Sequence, residues 1–305
     1  MKKLFYIFVI FYSYVCLALN FQMVDNQEEL QNFLIKVMHA KTLAIDTEFY
    51  GQPATIRLIQ VGIIKNDVLT PDIYLVDIQK INAQHIELSD FFKIFSDETV
   101  VKIFHAAKID IQLINALLPQ GSVENIWDTQ IAESFLGMNN AISYKDIVQK
   151  YFAVGLSKEQ QTSDWEKAQL TPAQQEYAAY DVHYLPEIYN RQVFTLANRP
   201  SLTDVKVEMR NQLVASAADV KSLKKTTEKF RLRSNKNAEL KTQFDKAKSF
   251  LEWTSQTLGI AKEALAKDSE IKAVILGQKT PARFCTAWRY TIIRKYFLSL
   301  QCPSE

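Results

Sequence analysis

The sequence predicts an α/β protein, a mixed sheet flanked by helices, followed by a small all-α unit. Three observations carry this. Strand-like runs joined by short turns fill the stretch from Thr42 to Ile78, strand-helix alternation follows from Val100, and beyond Arg199 the apolar spacing is helical. At 305 residues the chain is long enough for a sizeable domain and a smaller second one. Nearly half of it is hydrophobic and Gly and Pro are few, the composition of an ordered globular protein.

Met1-Lys2-Lys3 precedes an uncharged stretch from Leu4 to Leu19 that resembles a secretory signal and is short for the roughly 20 residues of a spanning helix. It admits three readings: an export signal, a membrane anchor, or an extension upstream of a start at Met23. The third is preferred, because Phe21-Gln22-Met23-Val24 already reads as a first strand. Residues 1–20 are therefore set apart from a domain that begins at 21. Glu28 to His39 has helical spacing, with Leu30, Phe33, Leu34 and Val37 on one face. Strands are expected at Thr42–Phe49, Thr55–Ile64 and Ile73–Ile78, joined by Gly51-Gln52-Pro53 and Asn66-Asp67, turns short enough for antiparallel hairpins. A strand at Val100–Phe104 then runs into a helix at Lys108–Leu118. A short run at Asn125–Trp127 leads into a helix for which Asp128 reads as N-cap. Thr171-Pro172-Ala173-Gln174 opens a further helix, with Thr as N-cap, Pro at the first position and Gln at the third closing a capping box. Hairpins first and strand-helix units afterwards are the order expected of a ribonuclease H-like fold.

The chemistry-bearing stretch is Leu43-Ala44-Ile45-Asp46-Thr47-Glu48-Phe49. Strand side chains repeat every two residues, so Asp46 and Glu48 point to one side of a buried strand. Two anions that close repel each other unless a cation lies between them, and Mg²⁺ takes one or two carboxylates together with substrate phosphates. Asp110 stands where a strand gives way to a helix, the end of an open α/β sheet at which ligands bind. Tyr177 and Asp181 are four apart, hence on one helix face, with Ala178 and Ala179 between them leaving room for close approach. Read singly, each has a plainer explanation: solvated strand-end acids, a first-turn acid complementing the helix dipole, a helix-surface hydrogen bond.

Taken in order, Asp46-Thr47-Glu48-Phe49, His105 to Asp110 and Tyr177 to Asp181 resemble the DEDD 3′-5′ exonucleases of the tyrosine subclass, and within them the ribonuclease D family. Ser143-Tyr144-Lys145, Leu156 to Trp165 and Val182-His183-Tyr184-Leu185 belong to the same resemblance, which covers roughly Phe21 to Tyr189. Two positions depart from it. Ala168-Gln169-Leu170 replaces an Arg-Pro-Leu after Trp165, so a contact of that Arg is absent or supplied elsewhere, and Ile109 stands where many relatives carry an aromatic.

The resemblance implies a 3′-5′ exoribonuclease acting on RNA, with precursor tRNA 3′ ends the substrate it suggests. It implies two divalent metal ions, Mg²⁺ or Mn²⁺. Asp46 would bridge both, Glu48 and Asp181 would complete the first site, and Asp110 would hold the second, partly through water. Tyr177 would orient the attacking water, Lys158 would touch the scissile phosphate, and Phe49 and Leu113 would pack against terminal bases. His105 is assigned a structural part. No obligate protein partner is implied.

Composition agrees. Residues 1–190 carry 14 Lys and Arg against 23 Asp and Glu, whereas residues 191–305 carry 22 against 11, an acidic front suited to metal and a basic back suited to a polyanion. The absence of His-x-x-x-His and Cys-x-x-Cys spacings argues against zinc, and Cys16, Cys285 and Cys302 are too scattered for a disulfide framework, which fits a reducing, cytoplasmic setting. The organisation expected is therefore an exonuclease domain at 21–195, a helical basic linker at 196–238 whose run from Lys221 to Lys236 is an exposed connection, and at 239–305 a helical bundle resembling the HRDC domain. A DNA-directed exonuclease and a non-catalytic RNA-binding scaffold are the competing functions.

Overall fold

A computed structural model describes residues 19–297 apart from 65–69, 138–141, 158, 198–201, 214–216, 236, 279–281, 286 and 295. The hydrophobic segment read at Leu4 to Leu19 thus lies, up to residue 18, outside the described residues. Among those described, no helix is long and apolar enough to cross a membrane.

Six strands form one mixed sheet in the order β1-β4-β3-β2-β5-β6. They are β1 (Phe21–Val24), β2 (Thr42–Tyr50), β3 (Thr55–Ile63), β4 (Asp72–Asp77), β5 (Val101–Phe104) and β6 (Ile126–Asp128). β2, β3 and β4 form the expected antiparallel hairpins, while β1 on β4, β5 on β2 and β6 on β5 are parallel. The central strands are buried on both faces, β3 almost throughout, which is why they read as continuous apolar runs. Pairing of β2 with β5 stops at Ala44, so the outer half of β2 emerges from the sheet where β5 ends.

The first helix, α1 (Gln27–Val37), is capped by Asn26 and buries Leu30, Phe33 and Val37, three of the four residues expected on its inner face; Leu34 is partly buried against the same core. Short helices α2 (Ile78–Ala83) and α3 (Ser89–Lys93) lead to β5, and α4 (Lys108–Leu117) follows it. After β6 come α5 (Thr129–Ser134), α6 (Tyr144–Phe152), α7 (Pro172–His183) and α8 (Leu185–Leu196). α7 lies across β2, β3 and β4, and α8 across β2 and β5.

Two turns fix the functional end of the sheet. Asp128 caps α5 by accepting from Gln130 and Ile131 N–H at 2.8 and 3.2 Å, and its two oxygens also accept from Ala106 and Ala107 N–H at 3.2 and 3.0 Å. That second pair holds Ala106 in the left-handed region, φ 59°, a conformation costly for a residue with a Cβ. The turn it stabilises aims the start of α4. Thr171 and Gln174 form the expected capping box at the start of α7, and the Gln174 amide also donates to Ser163 Oγ and the Asp164 carbonyl at 3.0 and 3.1 Å.

The C-terminal half comprises α9 (Leu202–Leu213), α10 (Ala217–Ser234), α11 (Ala238–Leu258), α12 (Lys262–Leu265), α13 (Asp268–Ile275) and α14 (Ala287–Ile293). In the segment 196–238, Val205, Met209 and Leu213 of α9 are buried in the core that includes β6; in the run from Lys221 to Lys236, Arg231 and Arg233 are exposed while Phe230 of α10 is buried against Phe244. The bundle docks on the first half through a 2.7 Å bond from Ala261 N–H to the Ser134 carbonyl and an edge contact of Trp288 with Phe135. Cys285 is disulfide-bonded, which the reading of three scattered cysteines in a reducing setting did not foresee; Cys16 and Cys302 lie outside the described residues. Bridging depends on a spatial separation that spacing along the chain does not report.

Candidate active site

Asp46 and Glu48 stand two apart on β2 and project to the face that α7 covers, where Asp181 meets them from the last turn of that helix. One carboxylate oxygen from each of the three lies within 4.8 Å of the others, and all three residues are half-buried. Tyr177 stands one turn earlier on α7, on the same face, close enough for its phenol and the Asp181 carboxyl to influence each other. The helix and the strand thus supply the two separate elements that the sequence called for.

Asp110 approaches from the other side of β2. Thr47, whose side chain points away from Asp46 and Glu48, donates its hydroxyl to Asp110 Oδ1 at 2.5 Å, so the fourth acid is anchored through the residue between the first two. It is 9% exposed, and its charge is felt by both Asp46 and Glu48. All four acids therefore gather around the outer end of β2, three in one cluster and the fourth tethered beside it.

The electrostatics follow from crowding. Burial, then the charges of Asp181, Asp110 and Glu48, holds the Asp46 carboxyl well above the usual carboxylate range. Burial together with Asp181 and Asp110 pushes Glu48 up to about 9. Burial raises Asp181 to about 8 against the lowering effect of the Tyr177 hydrogen bond, and raises Asp110 against that of Thr47. The Tyr177 phenol is pushed up as well, first by burial and then by Asp181, which keeps it a hydrogen-bond donor. Among the described residues no Lys, Arg or His forms an ion pair with Asp46, Glu48, Asp110 or Asp181. An all-oxygen donor set of convergent carboxylates without a basic partner fits a hard divalent cation such as Mg²⁺ or Mn²⁺.

Of the residues expected to touch substrate, Phe49 follows Glu48 and is 37% exposed, and Leu113 is half-buried one turn beyond Asp110. Lys158 lies outside the described residues. His105 is held by Thr129 Oγ1 at 2.9 Å and by the Ile142 carbonyl at 3.1 Å, a structural placement as expected.

Three neighbours had no role in the sequence reading. Thr47 was visible as the middle of the motif, but a strand residue pointing away gave no hint of a bond to Asp110. Tyr144, on α6, donates to the Tyr180 carbonyl at 3.0 Å and accepts from Tyr184 N–H at 3.3 Å, gripping the turn of α7 that presents Asp181. Arg57 reaches from β3 to the stretch after Trp165. A bulge between Glu48 and Phe49 shifts the β2–β3 register, and the buried Arg57 guanidinium pairs with Asp77 while reaching the carbonyls of Lys167 and Ala168, each at 3.4 Å. A guanidinium from β3 thus reaches the loop that carries Lys167 and Ala168.

A family model described as a 3′-5′ exonuclease matches residues 21–192. The chain is 27% identical over 254 residues to a ribonuclease D of Jannaschia sp., covering 81% of this chain and 63% of that one. It is 32% identical over 173 residues to a ribonuclease D of Bartonella henselae, covering 55% and 40%. It thus spans less than two thirds of the length of these two relatives. Among solved structures, Escherichia coli RNase D, described as an exoribonuclease involved in structured RNA processing, superposes with a TM-score of 0.58 at 21% identity, covering 93% of this chain and 76% of that one. The catalytic core of RRP6 from Trypanosoma brucei gives 0.56 at 20%, covering 92% and 78%. These two likenesses establish the fold, a mixed sheet flanked by helices.

Proposed function

Because the chain belongs to the 3′-5′ exonuclease family, we propose that it is a ribonuclease D-like exoribonuclease, removing nucleoside 5′-monophosphates stepwise from RNA 3′ ends. What carries this reading is the meeting of Asp46, Glu48 and Asp181 oxygens within 4.8 Å, with Asp110 tethered alongside and no basic partner among the described residues.

In this reading Asp46, Glu48 and Asp181 would hold one divalent cation, and Asp46 with Asp110 would hold a second. The cations, when bound, supply a nucleophilic hydroxide at neutral pH and stabilise charge on the leaving oxygen. Tyr177, kept protonated by its raised pKa, orients the attacking water by hydrogen bonding. Thr47 fixes the Asp110 carboxylate, and Tyr144 fixes the turn that carries Asp181. Phe49 and Leu113 pack against terminal bases, and Lys158 touches the scissile phosphate. Hydrolysis breaks the bond between phosphorus and the 3′ oxygen, leaving a shortened RNA with a free 3′ hydroxyl.

The exonuclease unit spans 21–195 and the HRDC-like bundle 239–305, with α9 and α10 packed between them. Exposed Lys and Arg of the C-terminal half hold structured RNA through its phosphates, and precursor tRNA 3′ ends are the substrate class. We place the activity in the cytoplasm; a processed N-terminus on the native protein, found by sequencing it, would overturn that placement.

The test is a 5′-labelled single-stranded RNA incubated with the protein and Mg²⁺ or Mn²⁺, beside a matched DNA. A descending ladder from the 3′ end, release of 5′-monophosphates, preference for RNA and arrest by EDTA are expected. Release of 3′-monophosphates, or trimming indifferent to EDTA, contradicts the proposal, and preference for DNA reassigns the substrate.

A further inference from the structure

Buried polar atoms are ordinarily paired; among the described residues of the sheet Arg57 Nε and Asp77 Oδ2 lack a partner although their side chains pair through other atoms, and Gln60 is left unpaired at both ends. Gln60 of β3 is fully buried, yet neither its amide nitrogen nor its amide oxygen finds a hydrogen-bond partner among the described residues. Its place in the register is specific. Gln60 is the direct cross-strand partner of Asp46 on β2, with Leu75 of β4 on its other side. Residues directly opposite in an antiparallel pair share a face, so Gln60 projects with Asp46 toward α7. Pairs two residues apart repeat the same local geometry. The neighbouring pair of that type, Ala44 and Gly62, is so close that a Cβ on Gly62 would stand 3.2 Å from that of Ala44. The Gln60 amide and the Asp46 carboxylate are therefore within reach of each other by side-chain rotation alone.

A stability argument cannot account for a glutamine here. Apolar residues surround it on β3 and β4, and Leu58, the partner of Glu48, shows that this face accepts an aliphatic side chain. An unpaired buried amide weakens the fold, so its presence points to use in another state of the protein. Carboxylates that ligate cations are themselves oriented by hydrogen bonds from a surrounding layer of groups. A primary amide offers two donors, and Asp46 has oxygen lone pairs beyond those a cation engages.

We propose that Gln60 is a positioning residue, donating from its amide nitrogen to the Asp46 carboxylate and orienting it for divalent cation binding. This rests on the cation-binding reading of Asp46, Glu48 and Asp181 given above, and adds a residue to it.

The experiment compares wild type with Gln60→Met, which keeps the volume and length of the side chain and removes both donors. Mn²⁺ binding to each is followed by electron paramagnetic resonance of the free ion, and the melting temperature is measured without metal. The expected result is a melting temperature equal to or above wild type, with Mn²⁺ affinity lowered roughly tenfold, the lower end of what loss of such supporting groups costs. In turnover, Gln60→Met should shift the Mn²⁺ concentration for half-maximal rate and leave KM for RNA at saturating Mn²⁺ unchanged. Unaltered Mn²⁺ affinity in Gln60→Met overturns the proposal, whether or not the melting temperature falls. A second measurement needs no variant: the side-chain amide resonances of Gln60, assigned in ¹⁵N,¹³C-labelled wild type, should shift on addition of Mg²⁺. Resonances that stay in place while Mg²⁺ binds overturn it too. Wild type that binds no Mn²⁺ at all would instead sink the cation-binding reading itself, so the two failures are told apart.

Discussion

The two halves of the molecule treat buried acids in opposite ways. In the C-terminal half, Glu208 of α9 is fully buried and met at 2.7 Å by the buried Arg289 of α14, which also donates to the Ala264 carbonyl from Nε at 3.1 Å. In the exonuclease half, Asp46, Glu48 and Asp181 crowd together with no basic partner among the described residues. A buried acid with its own cation in the chain is part of the architecture. Several acids pressed together without one raise each other's pKa values and weaken the fold, which is reasonable only where the missing positive charge comes from outside. The contrast is sharpened by Glu133, a buried acid of the exonuclease half that does have partners, Lys150, the Tyr151 hydroxyl and the Gln192 amide. Among the described residues, Glu133 and Asp77 of this half are thus compensated and the acids of the site are not.

The largest effect that separates the halves is on turnover. Asp46→Asn should lower 3′ trimming by roughly three orders of magnitude or more, the several kcal/mol that charge stabilisation by bound cations supplies. Its circular dichroism spectrum and RNA affinity should stay those of wild type. Near-normal trimming would place the acid cluster outside the chemistry.

Smaller is the loss expected of Tyr177→Phe, roughly ten- to a hundredfold in kcat, the worth of one hydrogen bond to a charged group. KM for RNA should hold. A rise in KM with kcat preserved would make Tyr177 a substrate contact instead.

On the C-terminal side, Arg233→Gln, Lys241→Gln and Lys246→Gln change exposed charges on α10 and α11 without touching the core. Together they should weaken RNA binding and reduce the slope of log affinity against log salt by roughly 0.7 for each phosphate no longer neutralised. Substitution is the cleaner probe, because truncation after Arg199 would uncover the surface of the exonuclease half on which α9 is buried. An unchanged slope would remove the basic half from RNA binding.

The mildest effect is thermal. With Glu48 at about 9 and Asp181 at about 8, the metal-free native state holds more protons than the unfolded chain, whose carboxyls titrate near 4. Stability then falls as pH rises between about 4 and 9. The melting temperature of EDTA-treated protein should drop from pH 5 to pH 9, and Mg²⁺ should restore it most at the alkaline end, where cation binding displaces fewest protons. A melting temperature flat over this range would contradict the crowding of the acids.

Much of this was legible because local rules and tertiary packing agree. The alternation in Thr42–Tyr50, the Thr171–Gln174 capping box and the Asp128 N-cap were each readable within a few residues, and each also places a piece of the site. What escaped depends on chain segments far apart in sequence. The bond from Thr47 to Asp110 spans 63 residues, and that from Arg57 to the Ala168 carbonyl spans 111. Arg57 reaches that loop only because of a bulge that nothing in Thr55–Ile63 announces. The seating of α9 was not readable either, because Val205, Met209 and Leu213 are few and stand among charged residues.

The most direct measurement is a Mn²⁺ titration of the full chain, read as bound ions per protein, in wild type and in Asp46→Asn and Asp181→Asn. Two ions displaced by Mg²⁺ in wild type, with binding lost or severely weakened in both variants, is the result expected of acids brought together to hold cations. Binding that survives unchanged in either variant would contradict it.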